Sequence, residues 1–255
     1  MTALLLADDT AIVTGAARGI GLAIAQALAR EGARVLLTDI LDEDGEVAAR
    51  RMMESGAQAR FMAADLRDKN ASTNLVDYAL REFGRVSIFV HCACPPHHGE
   101  TALDAADDLW DDMLEVNIRA GYRMARLLGQ DMRAKKIRGR MLFVTSVHAD
   151  TPREVPAYSV AKSGMKMLVK ELARALGPDG IRVNAIAPGA IADNWFASAE
   201  AMGRTIALRR IGKTAEIANM AVAMLAERYS SYLTGATVVV DGGLSLFNAI
   251  PQGRN

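Results

Sequence analysis

Short runs rich in β-branched and aliphatic residues alternate along the chain with longer stretches whose apolar residues recur every three or four positions. This alternation predicts strand–helix–strand units. The short runs place seven strands at residues 11–14, 34–39, 59–63, 86–91, 140–145, 181–186 and 236–240. Helices are expected between them, among others at 20–31, 42–55 and 156–176. With right-handed crossovers, the expected architecture is α/β: three layers, a doubly wound seven-stranded parallel sheet with helices on both faces. No repeat, low-complexity tract or linker breaks the rhythm, so residues 1–255 are expected to form a single domain. The least regular stretches, 94–100 and 190–209, fall near the carboxyl ends of strands, where open α/β sheets hold ligands.

Composition narrows the function more than the fold. Thirty basic residues balance thirty acidic ones, which removes the strong field expected of a nucleic-acid or anionic-membrane binder and favours a small substrate. No apolar run approaches the ~18 residues that cross a bilayer, and residues 1–6 lack the basic start of a signal peptide. A cytoplasmic location is the expectation. Cys92 and Cys94 stand too close in sequence for an unstrained disulfide and are expected to be reduced thiols.

The first predicted strand runs into Thr14-Gly15-Ala16-Ala17-Arg18-Gly19-Ile20-Gly21, and a helix follows at once. Glycines permit a tight turn, and the exposed N–H groups and positive dipole end of the helix attract a pyrophosphate. Asp39 ends the second strand, 18 residues after Gly21, where a carboxylate can accept hydrogen bonds from the adenosine ribose hydroxyls. A 2′-phosphate would meet like charge there, so NAD is expected over NADP, with Arg18 pulling the other way. Asp39 could also simply begin a polar turn.

Tyr158 and Lys162 are four apart at the start of the 156–176 helix and therefore share a face. Interconversion of an alcohol and a carbonyl needs a group that moves the hydroxyl proton while hydride passes to or from nicotinamide. Bringing a phenol from a pKa of about 10 to about 7 takes roughly 4 kcal/mol. One cation about 4 Å away supplies a similar amount at an effective dielectric of about 20. Ser146, at the end of the fifth strand, can hydrogen-bond a substrate oxygen or act as a turn serine. Asn117 can support a proton-relay water or cap a helix.

Together these residues resemble the short-chain dehydrogenases/reductases over nearly the whole chain. The resemblance implies a Rossmann fold and an oxidoreductase that acts on CH–OH groups with NAD or NADP. It assigns the glycine turn (Gly15, Arg18, Gly19, Ile20, Gly21), Asp39, Cys92 and Ala93 to the cofactor. It also assigns Asp65 and Leu66 to adenine contact, Pro188 and Gly189 to the turn before the substrate loop, and Ile191 to the place whose backbone meets the carboxamide, all three beside the cofactor. Tyr158 and Lys162 join Asn117 and Ser146 as the catalytic set and also touch the cofactor. Thr234-Gly235 and Asp241-Gly242-Gly243 are similar to the family's closing segment. Within the family, Ser146-Val147-His148, residues 162–166 and Gln252-Gly253-Arg254 look similar to bacterial glucose 1-dehydrogenases, which implies a sugar or polyol substrate and, by family habit, a homotetramer. A 3-oxoacyl thioester or hydroxysteroid substrate, or a non-catalytic NAD sensor, would fit the same sequence.

Three departures from the family pattern stand out. His91-Cys92-Ala93-Cys94-Pro95-Pro96 replaces the usual Asn-Asn-Ala-Gly, which should stiffen the floor beneath the nicotinamide ribose. Ser146 and Tyr158 are 12 positions apart, one fewer than usual. Asp193 stands where a threonine commonly meets the carboxamide. His91, Cys92, Cys94, His97, His98 and His148 include soft ligands, but their spacing is no standard zinc motif, so packing or substrate contact is expected and no metal. Trp195, Phe196 and Met202 are candidates to cover an apolar ligand.

Overall fold

A computed structural model of the chain describes residues 4–96, 101–192 and 205–246. Strands β1 (Thr10–Thr14), β2 (Arg34–Asp39), β3 (Ala59–Ala63), β4 (Ile88–His91), β5 (Arg140–Val144) and β6 (Arg182–Pro188) follow in chain order. Two short strands, β7 (Ile191–Ala192) and β8 (Gly212–Lys213), precede the last, β9 (Thr237–Val240). The main sheet has seven strands in the order β3-β2-β1-β4-β5-β6-β9, and every neighbouring pair is parallel. The chain builds outward from β1 to β3, then restarts beside β1 with β4 and builds the other way. That reversal opens a crevice at the carboxyl ends of β1 and β4, where doubly wound sheets bind their ligands.

The helices are α1 (Gly19–Arg30), α2 (Asp42–Glu54), α3 (Ala71–Phe83), α4 (Asp107–Leu114), α5 (Gly121–Ala134), α6 (Pro156–Leu176), α7 (Thr214–Leu225) and the short α8 (Glu227–Ser230). Successive strand side chains point to opposite faces, and the sheet uses both. Ala11, Val13, Val35, Leu37, Val90 and Leu142 pack with α1, α2 and α7, whereas Ile12, Leu36, Phe89, Met141 and Phe143 pack with α3, α5 and α6. Both clusters are almost completely shielded from solvent, which accounts for strands that read as unbroken apolar runs.

The strand limits differ from the sequence expectation by one or two residues at several ends. Val86 and Ser87 lie ahead of β4, where Ser87 keeps its backbone bonds to Thr10 and Arg140 while its Oγ accepts the Thr10 N–H at 3.2 Å and donates to Asp9 at 2.7 Å. Thr145 leaves β5, with its N–H and its hydroxyl both given to the Ile186 carbonyl at 2.8 and 3.0 Å. β6 runs on to Pro188 because β9 continues to pair with it after β5 has ended. The β7–β8 pair brackets the stretch expected to carry the substrate loop.

Candidate active site

β1 delivers Thr14 to the carboxyl edge of the sheet, and the chain turns into α1 through Gly15, whose φ of 64° lies in the left-handed region. A Cβ on Gly15 would come within 2.8 Å of the Ala93 backbone, and one on Gly21 would sit 2.0 Å from the Gly15 carbonyl oxygen. The turn is therefore packed backbone to backbone. α1 begins after an extended Arg18 with no side-chain cap and no acidic residue in its first turn. The N–H groups of that turn, including Gly19, Ile20 and Gly21, are left for an anion. These features fit a dinucleotide pyrophosphate.

Asp39 is more than a turn residue. Its carboxylate accepts the Ala17 N–H at 3.0 Å and the Leu41 N–H at 3.2 Å, so the end of β2 is tied into the glycine turn. Arg18 is exposed beside it. Leu66 is buried, whereas the Asp65 carboxylate is held in a fork by Arg67 at 2.6 to 3.0 Å, and Arg67 also reaches Asp112 at 3.1 Å. Arg67 accordingly holds the Asp65 carboxyl below its usual range. A cavity of about 210 Å³ lies beside Asp65, bounded also by Met62, Ala64, Asp68 and Asn74.

α6 opens on Pro156, whose missing N–H costs nothing in a first turn. It places Tyr158 and Lys162 one turn apart. Lys162 is 3% exposed, its ammonium donating to the Val144 carbonyl at 2.9 Å and lying 5.5 Å from the centre of the Tyr158 ring. Ser146 is extended, accepts the His148 N–H at 3.1 Å to open a 3₁₀ turn, and is hydrogen-bonded to Tyr158. It is thus a turn serine and a partner of the phenol at once. The His148 ring stands edge-on to Tyr158 at 6.4 Å.

The electrostatics correct one expectation. Burial raises the Tyr158 pKa above its ordinary value near 10, and the opposing pulls of Lys162 and Ser146 do not overcome it; the thiols of Cys94 and Cys92 push the same way as burial. In the chain by itself the phenol is protonated, because the ammonium that favours its ionisation comes with a dry pocket that opposes it. The positive charge of an oxidised nicotinamide would act in the same direction as Lys162.

Asn117 caps no helix. It lies in a π-helical segment, Glu115–Ala120, between α4 and α5, fully buried, with Nδ2 donating to the Met113 carbonyl at 3.0 Å. Its Oδ1 is buried without a partner among the described residues. An orphaned acceptor at this depth fits a relay water.

The fourth-strand departure is a packed structure. Thr14 Oγ1 accepts the N–H groups of both Cys92 and Ala93 at 3.1 Å, which fixes the segment under the glycine turn. His91 is fully buried, with Nδ1 3.0 Å from Thr14 Oγ1 and Nε2 3.0 Å from the Val116 carbonyl. Burial drops its pKa to about 4 and pushes the Cys92 thiol up to about 12. Both cysteines are free, and Cys94 packs in a small apolar cluster with Tyr158. Among the described residues no three metal-binding side chains converge. His97, His98, Asp193, Trp195, Phe196, Met202, Gln252, Gly253 and Arg254 lie outside the described residues.

Pro188 closes β6, Gly189 donates its N–H to Val240 at 3.1 Å, and Ile191 is buried in β7, all at the carboxyl edge of the sheet. Three contributors were not singled out for these contacts from the sequence: the Thr14 hydroxyl, the inward-facing His91 and the His148 ring. The substitution of the usual Asn-Asn-Ala-Gly segment was the available signal for His91.

The chain is similar to known proteins over nearly its whole length. Residues 15–245 match the family model described as Enoyl-(Acyl carrier protein) reductase. The chain is 36% identical to the short-chain reductase protein NovJ of Streptomyces niveus, over 92% of this chain and 94% of that one. It is 34% identical to glucose 1-dehydrogenase 2 of Bacillus subtilis, over 95% and 96%. The solved short-chain dehydrogenase/reductase from Serratia marcescens superposes with a TM-score of 0.87 at 31% identity, covering 94% of this chain and 99% of that one. No helix among the described residues is long and apolar enough to cross a membrane.

Proposed function

The chain belongs to the short-chain dehydrogenase/reductase family and is an oxidoreductase that uses a nicotinamide cofactor on CH–OH groups, and from this premise we propose that it favours NAD and oxidises a secondary alcohol of a sugar or polyol. The observation that carries the reading is the convergence of Ser146, Tyr158 and Lys162 at the carboxyl ends of β5 and its neighbours, on the sheet edge where the uncapped start of α1 opens. Bound NAD supplies the acceptor for the hydride that leaves the carbinol carbon.

The chain supplies the rest. Ser146 holds the substrate oxygen, and Tyr158, as the phenolate, accepts the hydroxyl proton while the carbonyl forms. Lys162 stabilises that phenolate from its fixed seat on Val144. Asn117 Oδ1 accepts from a water that carries the proton onward. In the reductive direction Tyr158 is the acid and each proton moves back along the same line.

The glycine turn, including Gly15, Arg18, Gly19, Ile20 and Gly21, cradles the pyrophosphate, with Cys92, Ala93, Leu66, Pro188, Gly189 and Ile191 around the remaining cofactor. Asp39 takes the adenosine ribose hydroxyls and repels a 2′-phosphate, against the opposing pull of Arg18. Asp65 reaches adenine only if Arg67 releases part of its fork, or through its backbone. The similarity to a glucose 1-dehydrogenase supports the sugar or polyol class.

The same reading makes the protein a cytoplasmic homotetramer. Tyr122 on α5, Val160 and Met167 on α6, and Val239 on the edge strand β9 are large apolar side chains left exposed, as buried contacts of an assembly would be in a lone subunit. A screen of NAD and NADP with sugars, polyols and secondary alcohols, followed by nicotinamide absorbance, tests the assignment. Turnover of at least one polyhydroxy substrate with NAD preferred is the expected result, and turnover confined to acyl thioesters would reverse the substrate class.

A further inference from the structure

We propose that His91 is a positioning residue that locks the cofactor turn and the proton-transfer set into one frame, with each ring nitrogen serving one of them. The proposal rests on the function assigned above and adds to it a residue that touches neither substrate nor cofactor.

The direction of each hydrogen bond follows from counting protons. Thr14 Oγ1 already accepts two backbone N–H groups, from Cys92 and Ala93, so its lone pairs are used and its single proton must go elsewhere. His91 Nδ1, 3.0 Å away, is the partner, so Nδ1 is an acceptor. The remaining nitrogen then carries the hydrogen, and Nε2–H donates to the Val116 carbonyl at 3.0 Å. The imidazole is thereby fixed as one neutral tautomer, in keeping with a site that is completely buried.

What the ring joins gives this arrangement its consequence. Thr14 is the first residue of the glycine turn and orders Cys92 and Ala93 beneath it. Val116 immediately precedes Asn117 in the π segment, so the imidazole pins the peptide that carries Asn117 on its carbonyl side, while Asn117 Nδ2 is turned toward Met113. Segments distant in sequence are registered by one side chain. The surroundings are shaped to it: a Cβ on Gly121 would lie 2.8 Å from Cδ2 and 2.9 Å from Nε2 of the ring, and Phe89 and Phe143 flank it with centroids at 5.9 and 5.7 Å.

The two arms can be cut separately. In His91→Asn the amide stands near the place of Nδ1 and keeps the Thr14 partner; in His91→Gln it reaches the place of Nε2 and keeps Val116. NAD affinity of the full-length protein is read from fluorescence quenching, and kcat at saturating NAD from turnover of the best substrate of the screen. The Asn variant is expected to hold NAD within about threefold of the parent and to lose kcat by about 10- to 100-fold, whereas the Gln variant is expected to keep kcat within about threefold and to bind NAD about tenfold more weakly. Imidazole nitrogen NMR of the parent, without cofactor, is expected to show a buried ring with a bare Nδ1 and a protonated Nε2. Parallel losses of kcat and affinity in both variants, two variants equal to the parent, or the opposite tautomer would overturn the proposal. A parent that turns over no alcohol would instead defeat the assigned function, and the binding and tautomer results would still decide the role of His91.

Discussion

The Lys162 ammonium lies 5.5 Å from the centre of the Tyr158 ring and is held there by the Val144 carbonyl, 2.9 Å away. The cation is thus part of the sheet edge rather than a mobile surface charge, and its pull on the phenol is present before any ligand arrives. Burial opposes that pull and holds the phenol above its ordinary value.

Removing the cation should make this balance visible in a pH profile. Alcohol oxidation needs the phenolate, so its rate rises as pH rises through the Tyr158 pKa of the loaded enzyme. Loss of a positive neighbour raises that pKa. In Lys162→Met the rising limb is expected to move up by at least about one pH unit and kcat at neutral pH to fall by about 100-fold or more, with Lys162→Arg between the two. An unmoved limb would show that the ammonium does not govern proton transfer.

Asp39 should set the choice of dinucleotide. Asparagine keeps an oxygen for the Ala17 N–H, which the carboxylate accepts at 3.0 Å, and removes the charge. Asp39→Asn is expected to shift the NADP/NAD ratio of kcat/KM toward NADP by about tenfold or more, equivalent to about 1.4 kcal/mol. A constant ratio would transfer the discrimination to another part of the site.

Gly21 tests the glycine turn itself. A methyl group there would sit 2.0 Å from the Gly15 carbonyl, a backbone atom that cannot step aside without opening the turn. For Gly21→Ala, isothermal titration is expected to show NAD binding weakened by about 100-fold or more while circular dichroism keeps the parent's helix content. Unaltered affinity would mean that the pyrophosphate sits elsewhere.

His91 should make the fold acid-sensitive. Its folded pKa of about 4 lies below the ordinary value of 6.5, because a buried imidazolium has lost its water. The depressed value favours the folded state fully above about pH 6.5, and this contribution fades as pH falls toward 4, since the unfolded chain binds the proton first. The full effect is about 3 kcal/mol. Denaturant unfolding at pH 7 and at pH 4 is expected to show the parent losing about that much more stability than His91→Gln; equal losses would contradict the buried neutral ring.

Much of this was legible in the sequence because the relevant signals are local. The order of strand, glycine turn and helix marked residues 14–21, and the four-residue spacing of Tyr158 and Lys162 placed both on one helical face. Continuous apolar runs located every strand of the main sheet to within two residues. The contacts that escaped are those joined across the fold. Nothing near Thr14 announces a partner 77 positions away, and Asp39 shows no local sign that it will hold the Ala17 amide. The π segment escaped for another reason: the run of residues 115–120 carries no local signal that separates a π turn from an α turn. Strand ends were misjudged by up to two residues around Ser87 and Thr145, where side-chain bonds add to the backbone ones.

The central claim is that the Tyr158 hydroxyl moves the substrate proton, and single-turnover oxidation by Tyr158→Phe at saturating NAD examines it most directly. The substitution removes one oxygen from the centre and leaves Lys162 on Val144 and the glycine turn in place. Hydride transfer is expected to slow by about 1000-fold or more with NAD affinity within about threefold of the parent. A variant that transfers hydride at the parent's rate would contradict the claim and require a different acid and base at this sheet edge.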